Sequence, residues 1–330
     1  MSASVSFVCC VESGWLEAQT VRLVESMRRH GGRYAQAPIF AVTPRFGPPL
    51  SRQMHAFFER HNVRYIRKAF ATTRYSWFKF INKPLAVVAA EEQADTDVVC
   101  WLYGDLLILS EPSGLELDDV DFAASASDKE MGSTGPGDPF ENLWGALCKT
   151  VGVGLDELPW VTTELDQFRI RAYWNGGFFA YRRATRFGHH YLSMCEKLLD
   201  ARVGSGASGY SPGINEMSAI AFAMVKQGLR YRALPFPYNY PLGVRTPPAW
   251  YSPERFAQVK ILHYHDSMWP KFWPTLIERL RAVHPHVAEW VAPLGPMENH
   301  APLPYRLLDR GLRKLRTRQE KVYKASCQLV

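Results

Sequence analysis

Residues 98 to 109 read Val-Val-Cys-Trp-Leu-Tyr-Gly-Asp-Leu-Leu-Ile-Leu. A strand of this composition is apolar on both faces, so it needs a sheet that is covered on both sides. The same character recurs at Val5 to Val11, Pro38 to Val42 and Val63 to Ile66, with helical patterns in between. Gly14 to Arg29 spaces Leu16, Val21, Leu23, Val24 and Met27 along a helix that closes on Gly31-Gly32. Ser51 to His61 turns Met54, Phe57 and Phe58 inward, and Asn82 to Gln93 reads as a helix started by Asn82 with Pro84 in its first turn. Strand and helix in alternation, with continuously apolar strands, predict an α/β fold on a largely parallel sheet.

Further strands are expected at Val120 to Ser125, Trp174 to Tyr181, Tyr231 to Leu234 and Gln258 to Tyr264. Helices are expected at Glu141 to Thr150, Ala184 to Arg202 and Asn215 to Lys226, and from Lys271 onward. No internal repeat or long linker divides the chain, which points to one catalytic domain over 1–275 and a C-terminal helical extension over 276–330. With 47% hydrophobic and 22% charged residues, 330 residues suffice to bury a large core. No apolar run is long enough for a membrane-spanning helix, and the start of the chain lacks the basic region of a secretory signal. Six cysteines without a Cys-x-x-Cys pair give neither a disulfide framework nor structural zinc, so reduced thiols and a cytoplasmic location are expected.

The net charge of +7 is concentrated near the C-terminus, where Arg306 to Lys324 holds eight basic residues against two acidic ones. A near-neutral body argues against nucleic acid as a partner. Leu308, Leu312 and Leu315 recur at helical spacing among these arginines. They form a basic amphipathic helix that either contacts an anionic membrane peripherally or packs its leucines on the domain.

Several chemistries are excluded by missing motifs. Ser13-Gly14 after the first strand and the isolated Gly152-Val153-Gly154 are neither a dinucleotide fingerprint nor a phosphate-cradling loop, and no Gly-x-Ser-x-Gly elbow occurs. What remains centres on Asp105. As the end of an apolar strand it shares a face with Tyr103 and suits a divalent cation and nucleotide phosphates, or it caps the turn after Gly104. A second strand, Val259 to Asp266, places His263 and His265 on one face. With Asp105 they suit manganese or a similar ion; otherwise one imidazole packs in the core and the other faces solvent. Asn175-Gly176-Gly177 opens a strand, either for close approach of a ligand or as a plain turn. Glu216, in the first turn of a helix, either complements the helix dipole or faces a cleft, stabilising positive charge or attacking a reacting carbon. Nucleotides bind such sheets at the carboxyl ends of the first strands, here around Cys10, Val11 and Glu12.

Taken in order over residues 5–275, these motifs resemble the GT-A type glycosyltransferases, most closely family 8, which includes glycogenin and bacterial galactosyltransferases. The resemblance implies a Rossmann-like mixed, mostly parallel sheet flanked by helices. It also implies sugar transfer from a nucleotide-sugar donor, a UDP-sugar, to a glycan or lipid-linked acceptor, with retention and a divalent ion (Mn2+ or Mg2+). The family's Asp-x-Asp is degenerate here: Tyr103-Gly104-Asp105 keeps only the second carboxylate, and Asp105 and His263 are the implied metal ligands. Asn175-Gly176-Gly177 resembles the Asn-Ser-Gly of the donor-sugar pocket, and Asn215-Glu216 resembles the Asp-Gln pair near the anomeric carbon. Asn175, Asn215 and Glu216 are therefore the implied catalytic residues. Lys83 lies where the family often carries a basic residue near the donor, and Lys271 resembles in content the lysine of a Lys-Pro-Trp that meets the phosphates. Val11, Glu12, Tyr103, Gly104, Gly176 and Gly177 complete the expected donor contacts. Tyr103 and Asn215, standing where acidic residues are usual, keep a second expectation open: a fold of this type that binds without turning over.

Overall fold

The computed structural model describes residues 4–330. The first third alternates as its apolar pattern requires: β1 (Val5–Cys10), α1 (Trp15–His30), β2 (Ile39–Thr43), α2 (Arg52–Arg60), β3 (Val63–Arg67), α3 (Asn82–Glu91) and β4 (Val98–Leu102). These four strands pair in parallel in the order β4-β1-β2-β3. Both faces of the sheet are dry. Phe7, Cys9 and Ala41 join one hydrophobic cluster, and Val8, Phe40 and Trp101 join the other. Each fully buried large side chain contributes roughly 1.5–3 kcal/mol.

The chain continues with β5 (Leu106–Ile108), β6 (Phe122–Ala126), α4 (Glu141–Val151), the hairpin β7 (Trp160–Thr162) and β8 (Arg169–Arg171), and β9 (Trp174–Arg182). After α5 (Phe187–Ala201), β10 (Val203–Gly204) and α6 (Ile214–Lys226), β11 (Tyr231–Ala233) completes a seven-stranded sheet of order β11-β6-β9-β4-β1-β2-β3. The sheet is mixed, because β9 runs antiparallel to both β4 and β6. That reversal sets the geometry of the site. An antiparallel strand begins where its parallel neighbours end, so Asn175 and Gly176 sit beside the carboxyl end of β4. The Tyr103 N–H donates to the Gly177 carbonyl at 2.9 Å, and the Trp101 indole N–H to the Gly176 carbonyl at 3.0 Å.

A second, three-stranded sheet is built from β5, β12 (Tyr240–Pro241) and β13 (Ile261–His263), which follows the short helix α7 (Pro253–Phe256). β13 lies antiparallel to β5 with His263 opposite Leu106. The remaining elements are α8 (Trp273–Val283), α9 (Pro285–Val291), α10 (Leu303–Ala325) and β14 (Gln328–Leu329), which pairs with β10. The expected domain boundary after residue 275 falls inside α8. No helix among the described residues is long and apolar enough to cross a membrane.

Four local expectations are corrected. The β4 strand stops at Leu102, and Tyr103-Gly104-Asp105 forms the turn into β5 rather than a strand end. Asn82 does not cap α3: it lies in the first helical turn, and its amide donates to Glu12 Oε1 at 2.9 Å. The expected strand over 258–264 shortens to three residues. The leucines of α10 do not share one environment, since Leu312 turns toward the body while Leu308 and Leu315 face solvent. The orientation of α10 is set elsewhere, by buried Tyr323 packing on Trp77 and by the β14–β10 pairing.

Candidate active site

A cleft of about 820 Å³ opens at the carboxyl ends of β1 and β4, beside the start of β9 and the second sheet. Its size lies within the usual range for nucleotide-sized ligands. Three donors meet on one wall. Asp105 Oδ1 lies 3.3 Å from His263 Nε2, and Oδ2 lies 3.9 Å from His265 Nδ1. One ligand atom from each of the three falls within 4.8 Å of the others. The β13–β5 register delivers His263 to the turn that carries Asp105. His265 lies beyond the strand, and a left-handed backbone (φ 49°) lets its ring stack on His263 at 3.8 Å. Gly243 makes this possible, because a Cβ there would stand 2.9 Å from the His265 Cβ.

Burial alone would raise the Asp105 carboxyl, but His263, by hydrogen bond and charge, and His265 hold it below its ordinary value. Burial and then His263 push His265 down to about 4, so it is a neutral imidazole with a free lone pair at neutral pH. One carboxylate and two imidazoles form a donor set suited to a divalent first-row ion. Tyr103 supplies no such donor. Its ring covers the Lys83 ammonium at 4.3 Å. Burial, then Glu216 and Asp105, push its hydroxyl well above the ordinary range, so it stays protonated.

Below this wall Lys83 Nζ lies 2.8 Å from Glu216 Oε1, with both side chains only 1% exposed. The Tyr191 hydroxyl also donates to Glu216. Burial lowers the Lys83 ammonium, and Glu216 opposes that shift. Gly176 makes room for it, since a Cβ there would fall 1.9 Å from Lys83 Nζ. Gly176→Ala is therefore expected to displace Lys83 and lower stability by roughly 1–3 kcal/mol, read by urea unfolding. Gly311→Ala, with open space around it, should be neutral or slightly stabilising. Equal effects from the two would contradict this geometry.

At the far end of the cleft Arg45 pairs with Glu12 through Nε–Oε1 at 2.6 Å and Nη2–Oε2 at 3.0 Å. Burial would raise the Glu12 carboxyl, but Arg45 and Asn82 hold it below its ordinary value. Nearby, Asn175 Oδ1 accepts the Gly177 N–H at 2.8 Å, which leaves its amide N–H groups to face the cleft.

Of the residues singled out from sequence, Glu12, Lys83, Tyr103, Gly104, Asp105, Asn175, Gly176 and His263 line this one cleft. Val11, Gly177, Asn215, Glu216 and Lys271 do not. Val11 is spent on the β1–β2 ladder, with its N–H on the Val42 carbonyl. Gly177 backs onto Asn239 and His263. Asn215 donates to the Tyr323 hydroxyl at 3.3 Å, and Lys271 is exposed over the Phe272 ring. Arg45 and Asn239 carried no sequence signal, because their relevance arises only from chain segments that meet in space. The two-residue spacing of His263 and His265 was a usable signal for the third donor.

The mixed sheet and the cleft at its strand ends define an α/β protein with a ligand-sized cleft at the carboxyl edge of its sheet. The apo structure of the bifunctional glycosyltransferase WbbM matches with a TM-score of 0.52 at 13% identity, over 85% of this chain and 50% of that one. The glycosyltransferase GlyE of Streptococcus pneumoniae matches with a TM-score of 0.47 at 14% identity, over 91% of this chain and 66% of that one. The chain thus spans half of the first and about two-thirds of the second. Comparison with curated proteins returned no match. Residues 7–207 match the Rhodobacterales glycosyltransferase domain, and the chain belongs to that family.

Proposed function

We propose that the cleft binds a UDP-sugar together with a divalent ion, Mn2+ or Mg2+, and passes the sugar to a glycan or lipid-linked acceptor at the cytoplasmic face of a membrane. The observation that carries this reading is the meeting of Asp105, His263 and His265 on one wall of a nucleotide-sized cleft. It also supports the likeness to family 8, with His265 adding a donor where Tyr103 replaces a carboxylate. These three residues would hold the ion, which supplies Lewis-acid stabilisation of the departing diphosphate.

The chain's own groups complete the task. Lys83 places a fixed positive charge at the cleft floor, desolvated and already oriented, where it opposes charge developing on the donor. Glu216 acts through Lys83 as a positioning residue. Asn175 and Gly176 bound the donor-sugar end, with Asn175 offering amide donors to sugar hydroxyls. Glu12, clamped by Arg45, faces the nucleoside end, where a carboxylate accepts from ribose hydroxyls.

Incubating the purified chain with a panel of UDP-sugars, with and without Mn2+, tests this reading. UDP release and a metal-dependent UDP-induced rise in melting temperature are expected. Neither release nor a thermal shift with any donor would sink it. A shift without turnover would favour the binding-only alternative, which the burial of Asn215 and Glu216 away from the cleft keeps worth measuring.

A further inference from the structure

Helix α10 turns three different faces outward and inward. Its inner face is fixed to the body: Leu312 is half-buried, Arg316 donates to the Phe46 carbonyl at 2.6 Å, and Tyr323 packs on Trp77. One flank gathers Arg306, Arg310, Arg313, Lys314, Arg318 and Lys321 around a hollow of about 600 Å³. The sole carboxylate lining it, Asp309, is paired with Arg313. At about 100° per residue, Leu308, Leu315 and Val322 fall together on the next flank, with Leu307 at its border between Lys314 and Arg318, and the four are 42–65% exposed. Aliphatic side chains beside a cationic row, on a helix too polar to span a bilayer, fit the interface of an anionic bilayer.

Two exposed aromatic pairs adjoin the helix. Phe46 and Phe70 stack at 5.5 Å where Arg316 binds the Phe46 carbonyl. Trp15 and Trp269 meet at 6.3 Å, next to Gly14, against which Asn299 of the basic hollow lies. Aromatic side chains of this kind settle at headgroup depth. Trp269 also lines the cleft.

We propose that α10 is a peripheral membrane-docking element, with its leucine flank inserted among acyl chains and its basic flank on the phosphates of anionic lipids. Trp269 then brings the bilayer surface to the mouth of the cleft, so the acceptor is one carried on a lipid. That last step rests on the transferase reading above; the docking does not. The charge pattern commits the surface to anionic lipid rather than to a second copy of this equally basic helix.

Co-sedimentation of the full chain with phosphatidylcholine vesicles, alone or with about one-third phosphatidylglycerol, tests the docking. Binding is expected to the anionic vesicles alone and to weaken with salt. The triple variant K314E/R318E/K321E should bind at least about a hundredfold more weakly. Leu307→Asp with Leu315→Asp should also lose binding. All five positions are exposed, so melting temperature and the UDP-induced shift should stay at parental values, which separates failure here from failure of the transferase reading. No binding to anionic vesicles at low salt would overturn the proposal. So would binding that survives both variants, equal affinity for double-stranded DNA, or a concentration-dependent dimer abolished by the leucine substitutions.

Discussion

Asp105→Asn is expected to lower sugar transfer by at least about a hundredfold and to remove the metal-dependent part of the UDP-induced thermal shift. Asp105 is the one anionic member of the donor group, and His263 and His265 lie 3.3 and 3.9 Å from its two oxygens. An amide keeps the shape but loses the charge that offsets a divalent ion, and its NH2 group points a donor where a lone pair is required. His265→Gln should cost less, because Asp105 and His263 remain. The measurement is UDP release across a Mn2+ titration, beside metal-free thermal unfolding to show that the fold persists. Transfer within about tenfold of the parent in Asp105→Asn would remove Asp105 from the proposed metal site.

The second large effect concerns stability. Lys83→Met is expected to destabilise the fold by roughly 3–5 kcal/mol, because it leaves the Glu216 carboxylate buried without its counter-charge. Natural domains are stable by about 5–15 kcal/mol in total, so this change alone brings the chain close to unfolding. The pair itself contributes little net stability, since two desolvation penalties offset its Coulomb attraction. Lys83→Met combined with Glu216→Leu is therefore expected to recover most of the loss while abolishing donor binding. Urea unfolding of both variants reads the first claim, and UDP binding reads the second. A double variant as unstable as the sum of its parts would show that the two side chains are not coupled.

Much of the scaffold was legible in the chain. The continuous apolar runs of β1, β2 and β4 demand a doubly covered sheet, and the stripes of α1 and α2 face it, because burial pattern and hydrogen-bond period are local properties. The antiparallel setting of β9 was not legible. Trp-Asn-Gly-Gly-Phe-Phe-Ala-Tyr reads as a buried strand in either direction, since periodicity carries no sign. Asn82 misled for a related reason. A side chain suited to capping also donates to a carboxylate, and Glu12 lies seventy positions away in sequence.

Composition and order alone determined that this chain builds an α/β sheet with dry faces, that Asp105 and the His263–His265 pair are the candidate cation donors, and that its excess charge lies in one C-terminal helix. Those follow from side-chain polarity at fixed spacing. Only the tertiary structure decided which groups share a cleft. The β13–β5 register carries His263 to Asp105, the positive φ of His265 folds a third donor onto them, and the reversal of β9 sets Gly176 against Lys83. The same packing sealed Glu216 beneath the cleft and left Leu307, Leu308 and Leu315 of α10 exposed while half-burying Leu312. Each of these outcomes depends on contacts between segments far apart in sequence, and strand pairing and core packing determine them together.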